Sequence, residues 1–392
     1  MNDDKNEKLN VLLIGANLYG EMASSQRVFN LFSPMIEMYN VMVTNLVHRQ
    51  CLGATDNSRV RIVEPSCEQK IVNRIQYIFL LYKIIDHAFR RDSINIIYHY
   101  GYPTLSTMRA LSYAKKKGYV VVFDIVENIY AYTVKTMSIS GIKVWLERQA
   151  IHKISKIGSA CFAISDSLVR LCKDITHSEI PVYLLPISVD ANKLSAVPKR
   201  QKKANEISIF YGGSFGKKDG IRYLIESFTR AWGENQDLRL ILTGRVAKED
   251  KGELQTFLAT CASKSAINYL GCLPIDDYYA EMASADILCM PRVNTLFANS
   301  GFPFKLGEYL ASGNAVVATK TSDVCKYLQH KKSAYLIPPE SIDDMVEAFM
   351  QLSMNRELRT SIGQNGQKVA SDFFDIRVVS IYLYERLCLI NQ

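Results

Sequence analysis

The stretch SGFPFKLGEYLASGNAVVAT (300–319) sets a cation and a carboxylate three positions apart, Lys305 and Glu308. Pro303 precedes them, Gly313 follows, and AVVAT reads as a buried strand, so both residues stand in the first turns of a helix that leaves a loop. The amino end of a helix offers unpartnered backbone N–H groups and the positive end of the dipole, surroundings that suit a phosphate. Lys305 adds a full positive charge there. Glu308 does not favour phosphate, but a carboxylate accepts hydrogen bonds from two vicinal hydroxyls, such as those of a ribose. Phosphate beside ribose describes a nucleotide; the plainer alternative is a surface lysine with an ordinary helical glutamate.

A second candidate is YGGSFGKKDGIRYLIESF (211–228), where Gly213 permits close backbone approach to a ligand. A buried diphosphate must be met by positive charge, and Lys305 is the first choice for that partner, Lys218 the second. VVVFDIVEN sets Asp124 and Glu127 just past a strand, where Glu127 can orient or deprotonate a hydroxyl, or else cap a helix or form an ion pair. His99, after INIIY, stands at a strand end and reads as structural.

The elements that must position these residues alternate along the chain. LNVLLIGA, VMVTNL, RVRIV, INIIYHY, VVVFDI, ACFAIS and VYLLP read as strands, with helices over 25–39 and 73–91 and a third from TLSTMRALSYAKKKG that Gly118 stops. After a polar, basic stretch at 187–206 the pattern restarts with ISIFYGG, LRLILTG, INYLG, DILCMP, AVVAT and AYLIP. Such alternation implies parallel sheets with helices on both faces, twice over. The expected fold is α/β, two Rossmann-like domains facing a cleft: an acceptor-side domain over 1–186, a linker at 187–206, and a donor domain over 207–373, with the terminal segment 374–392 packing back on the first. Ligands of open parallel sheets bind beyond the carboxyl ends of the strands, which makes the loops after strands the places to look.

Composition bounds the rest. A chain of 392 residues, 48% hydrophobic and 22% charged, is globular and long enough for two domains. The start MNDDKNEKLN does not read as a signal peptide, and no apolar run is long enough to span a membrane. The nine cysteines are scattered without a CxxC, which fits a reducing, cytoplasmic setting and no metal site. The net charge of +8 gathers in short Lys/Arg groups, and the segment ISGIKVWLERQAIHKISKI mixes Trp145 with basic residues. That pattern fits either solvated faces or peripheral contact with an anionic membrane. Nucleic acid is not expected as a partner, because aromatic residues do not interleave with the basic ones.

Taken as a whole, SGFPFKLGEYLASGNAVVAT resembles the donor-binding signature of retaining GT-B glycosyltransferases of the "group 1", or family-four, type. There two Glu lie on either side of seven residues; Glu308 matches the second, which holds the donor ribose, and Ser300 stands where the first would be. The form P-x-K-L-x-E-Y is similar to a branch in which this lysine is common. YGGSFGKKDG resembles the Gly-rich loop after the first donor-domain strand, with Ser214 and Asp219 where the family carries Arg and Lys. LILTGRVAKED resembles the nucleotide-base loop, with Gly244 and Arg245, and GANLYGEMASSQRV replaces the family's Gly-rich loop in the first half. The resemblance implies transfer of a sugar from a nucleotide-diphosphate-sugar to a hydroxyl acceptor, with retention, no metal and no cofactor. A lipid-linked glycan acceptor and a role in bacterial surface polysaccharide or glycolipid synthesis go with it. It also implies a donor site at Gly20, Gly213, Ser214, Lys218, Arg245, Ser300, Gly301, Phe302, Lys305 and Glu308, with Lys305 and Glu127 as the catalytic candidates. Two other readings stay open: a partner-dependent or non-catalytic relative, and a nucleotide-sugar epimerase of the same architecture.

Overall fold

A computed structural model of the chain describes residues 8–19, 23–46, 59–63, 71–131, 145, 148, 150–201, 205–216, 218–246 and 251–390. Gly20, Lys217 and residues 139–144, 146, 147 and 149 of the Trp145 segment lie outside them. The chain divides into two compact units, Met1–Ser188 with Ile376–Gln392, and Val189–Asp375.

The first unit is built on a parallel sheet of β1 (Leu9–Ile14), β2 (Met42–Leu46), β3 (Val60–Val63), β4 (Ile94–Tyr100), β5 (Val120–Ile125), β6 (Ala160–Ala163) and β7 (Val182–Leu184). Their spatial order is β3-β2-β1-β4-β5-β6-β7. The central strands read as unbroken apolar runs because helices cover both faces; every residue of β1 is buried. Helix Leu105–Lys117 shows how locally such boundaries are written. Thr104 and Thr107 form a reciprocal capping box at its start, and Gly118 ends it in the left-handed conformation at φ 101°. Helix Ala23–Met38 packs Val28, Leu31, Phe32 and Met35 into the same core as Val379, Leu383 and Leu387 of the terminal helix Ile376–Ile390. The Ser380 hydroxyl fixes that meeting by donating to the carbonyls of Asn30 and Leu31, at 3.1 and 2.8 Å.

Asp124 stands inside β5 rather than beyond it, and it is committed to structure. The Arg27 guanidinium donates to both its carboxylate oxygens, at 2.7 and 2.8 Å, and to the carbonyls of Pro186 and Leu185, at 2.9 and 3.0 Å. Both side chains are almost wholly buried. Despite burial, the paired carboxylate raises the Arg27 pKa and keeps the guanidinium charged.

The second unit carries β8 (Ile207–Gly212), β9 (Leu238–Thr243), β10 (Ile267–Tyr269), β11 (Ile287–Met290), β12 (Ala315–Thr319) and β13 (Tyr335–Ile337), all parallel. Their order is β10-β9-β8-β11-β12-β13. The chain winds outward from β8 in one direction, then returns to start again at β11, so the winding reverses between β8 and β11. In a sheet of this kind the loops leaving those two strands part from each other and open a crevice at their carboxyl ends. Helix Ile221–Glu234 closes one face, burying Ile221, Leu224, Ile225 and Phe228 as a single stripe. Part of the stretch expected as a linker belongs to this unit: Asp190 caps a short helix, Ala191–Ser195, whose Ala191 and Leu194 are buried.

Candidate functional site

At the switch point of the second unit stand the loop after β8 (213–216 and 218–220), the loop after β11 (291–303) and the helix Phe304–Ala311 that this second loop feeds. The two loops are pressed together. Gly220 adopts φ 61° with its α-carbon against the Pro291 carbonyl, where a Cβ would collide with backbone, and the Val293 N–H donates to the Lys218 carbonyl at 3.2 Å. Phe215 also takes a left-handed conformation, at φ 51°, its ring packed edge-on against Tyr211 and Tyr269. A non-glycine residue there costs energy, so packing and not local preference shapes this loop.

No side chain caps the amino end of helix Phe304–Ala311, whose first position follows Pro303. Lys305, half-buried in its first turn, turns toward β8 and donates to the Tyr211 hydroxyl at 3.2 Å. The ammonium fits because Gly213 has no side chain: a Cβ there would occupy the space of Nζ and crowd the Tyr211 oxygen. Burial pushes the Lys305 pKa down to about 8, with Asp219 opposing the shift and Lys218 and Arg292 adding to it.

Asp219 is the anion of this group. It is buried, its Oδ2 accepting from the Ser214 hydroxyl at 2.8 Å and the Gly216 N–H at 3.0 Å. Burial raises its pKa, but Lys305, the Ser214 hydroxyl and Lys218 outweigh that and hold the carboxyl below its ordinary range. The ammonium of Lys218 lies over the Phe297 ring, 4.7 Å from its centroid.

Glu308, one turn into the helix, is buried beneath two tyrosines. The Tyr279 hydroxyl donates to Oε1 at 3.2 Å and that of Tyr278 to Oε2 at 3.5 Å. Burial drives its pKa up to about 7, against the pull of those hydroxyls and of Lys305. A carboxylate already receiving two hydroxyl hydrogens has the geometry to receive a vicinal diol in exchange.

The other expected residues spread around this centre. Gly213 donates its N–H to the Thr243 carbonyl at 2.8 Å. Gly244, at φ 138°, presses on the Gly213 carbonyl, and Arg245 stands exposed beyond β9. Ser300 is buried with its hydroxyl turned back to the Leu296 carbonyl at 2.6 Å, so it is spent on its own short helix. Gly301 leads into Phe302, whose ring packs against Tyr327 and Phe374, 5.6 and 5.5 Å between centroids. That ring serves the core. In the first unit, Glu127 is exposed just past β5, and buried His99 donates Nδ1–H to the Gly101 carbonyl at 3.0 Å. Burial pushes the His99 pKa down to about 4, which keeps the ring neutral. No cluster of His, Cys, Asp or Glu suited to a metal occurs among the described residues.

Four residues of the group were not legible beforehand: Tyr211, Tyr278, Tyr279 and Arg292. Arg292 had a signal, since it directly follows DILCMP at a strand's carboxyl end. Tyr278 and Tyr279 had none, because DDYYAEM reads only as a surface helix.

These features define a class: a doubly wound α/β unit with a polar crevice at its switch point, joined to a second unit of the same kind. The fold is that of the GT-B glycosyltransferases. HepE of Anabaena, solved with UDP and glucose, superposes at a TM-score of 0.69 with 15% identity, over 97% of this chain and 99% of its own. Residues 193–369 match the family described as Glycosyl transferases group 1. A phosphatidyl-myo-inositol mannosyltransferase of Mycolicibacterium smegmatis is 23% identical over 236 residues, 60% of this chain and 57% of its own length. A putative colanic acid biosynthesis glycosyltransferase, WcaL of Escherichia coli, is 22% identical over 226 residues, 57% of this chain and 55% of its own. The chain thus spans about half the length of the curated relatives it matches.

Proposed function

We propose that the protein transfers a sugar, with retention, from a nucleotide-diphosphate-sugar to a hydroxyl acceptor, and that the donor binds in the crevice of the second unit. One observation carries this reading. The uncapped amino end of helix Phe304–Ala311 presents a half-buried lysine that has no carboxylate in ion-pair contact among the described residues, one turn from a buried glutamate held only by hydroxyls. A donor's diphosphate meets the first and its ribose the second. In the reaction the bond from the anomeric carbon to the diphosphate oxygen breaks and one to the acceptor oxygen forms, so negative charge grows on the leaving diphosphate. Lys305 and the helix N–H groups stand where that charge appears, and such stabilisation is worth roughly 3 kcal/mol per donor group.

The UDP held by the Anabaena neighbour and the sugar-transferring relatives support a nucleotide-sugar donor. The colanic acid relative favours an acceptor in bacterial surface polysaccharide or glycolipid synthesis. No described helix is long and apolar enough to cross a membrane, so contact with a lipid-linked acceptor would be peripheral. A net charge of +8 suits an anionic surface, and the sign of that contact is recovery with membranes that salt abolishes.

A thermal-shift screen of UDP-, GDP- and ADP-sugars tests the donor site, since a ligand at 100 times its Kd adds about 2.7 kcal/mol of stability. With the donor that binds, Lys305→Ala is expected to lower turnover by roughly two to three decades in a folded protein. Glu127→Gln is expected to lower turnover at unchanged donor affinity. Full turnover in Lys305→Ala would remove the lysine from the chemistry. The Ser214–Asp219 hydrogen bond, standing where the family carries two basic residues, favours a second reading: a relative that keeps the fold without the chemistry. Slow hydrolysis of the bound donor excludes that reading, and release of an isomerised sugar without acceptor would indicate an epimerase.

A further inference from the structure

We propose that Arg292 is a diphosphate-binding residue of this crevice, acting with Lys305 in place of the basic pair missing from the loop after β8, and that Asp219 is its counter-ion while the site is empty. The inference rests on the donor site proposed above and goes beyond it to the residue that selects a diphosphate.

Arg292 follows β11 at the switch point, and its neighbour Val293 bonds to the Lys218 carbonyl of the β8 loop. Its side chain is 6% exposed. Among the described residues it forms no ion pair, and its one hydrogen bond, Nη1 to the Gly301 carbonyl, is 3.5 Å long. A guanidinium carries five N–H donors, and with a single marginal protein acceptor most of them are available to a ligand. Asp219 attracts it, and burial alone lowers its pKa. That same carboxylate already accepts from Ser214 and Gly216 and is also held charged by Lys305 and Lys218.

The electrostatics are therefore lopsided. Three cations, Arg292, Lys305 and Lys218, act on one buried carboxylate, so positive charge outnumbers negative there. Arg292 and Lys305 disfavour each other's charge. An incoming group that relieves both must carry more than one negative charge and several acceptor oxygens. A diphosphate does, and the planar fork of an arginine grips two of its oxygens at once, which a lysine cannot. A monophosphate of the same nucleoside reaches fewer of these donors. Arg292 thus separates nucleoside diphosphates from monophosphates, whereas Glu308 meets the ribose that both share.

The test is calorimetry with UDP, GDP and ADP and their monophosphates against the full chain, Arg292→Met and Arg292→Lys, with melting curves to verify folding. In the wild type the diphosphate of the preferred base binds more tightly than its monophosphate. Arg292→Met is expected to cost roughly 10- to 100-fold in diphosphate affinity with little change for the monophosphate. Arg292→Lys should recover only part of the loss and keeps the charge should the methionine variant fail to fold. An equal loss for both nucleotides, or none for either, overturns the role of Arg292 and leaves the donor site standing. Binding of none of the six nucleotides at millimolar concentration overturns both.

Discussion

Glu308 and Lys305 are each held in the protonation state that costs the fold and serves the ligand. The carboxyl rises from its ordinary 4.5 to about 7, and the ammonium falls from 10.5 to about 8. The donor needs an ionised Glu308 and a charged Lys305, so its affinity should peak between about pH 7 and 8 and fall on both sides. Calorimetry across that range checks the shape, and Glu308→Gln should abolish the acid limb alone. The stability effect has the opposite sense. An acid whose folded pKa is raised contributes fully below its unfolded pKa, and that contribution is lost as the pH rises through the folded value. Glu308→Gln should therefore stabilise the empty protein by roughly 1–2 kcal/mol at pH 8 and leave it unchanged near pH 4.5. A variant that is both more stable and poorer at binding identifies a residue kept for its ligand. Equal melting temperatures at pH 8 would show that Tyr278 and Tyr279 fully offset the burial.

The loops after β8 and β9 distinguish glycines that make room for a side chain from those that make room for backbone. At Gly213 the obstacle to a Cβ is chiefly the flexible end of Lys305, whereas at Gly244 it is the Gly213 carbonyl, with φ at 138° besides. Gly213→Ala should fold with under about 1 kcal/mol of loss yet push the ammonium from its place, weakening donor binding. Gly244→Ala should cost about 1–3 kcal/mol of stability through backbone strain. Paired melting and binding measurements separate the two, and a reversed order would refute this account of the loop. Elements were legible wherever burial on both faces wrote an apolar run, as in AVVAT, and wherever a stop residue ended a helix, as Gly118 does in the first unit. Lys305 and Glu308 were legible because helix ends have known chemistry. The Asp219 group was not: the sequence shows two lysines beside an aspartate, and only the close approach of the loops at Gly220 and Pro291 sets Arg292 and Tyr211 around that carboxylate. Ser300 and Phe302 show the converse, since motif position put them at the donor and packing turned their side chains elsewhere.

Over the whole molecule, the chain crosses from the first unit to the second at Ser188 and returns at Asp375, so the last helix completes a unit that the first residues began. Val379, Leu383 and Leu387 are at most 2% exposed, and Tyr384 stacks on Tyr39 with 3.8 Å between centroids. Burial of three aliphatic side chains at about 1.5–3 kcal/mol each is comparable to the entire stability of a domain. The second unit keeps its own core, centred on Phe228, Leu240, Val317 and Phe349, and contains every residue of the proposed donor site except Gly20. Truncation after Asp375 should consequently abolish or sharply lower the melting transition of the first unit and spare that of the second. A nucleoside diphosphate should still raise the surviving transition by the amount seen with the full chain. Calorimetric scans of both proteins, with and without UDP, GDP and ADP, read this directly. A joint collapse of both transitions would mean that the two cores do not stand independently, and loss of the nucleotide shift from an intact second transition would mean that its crevice does not bind unaided.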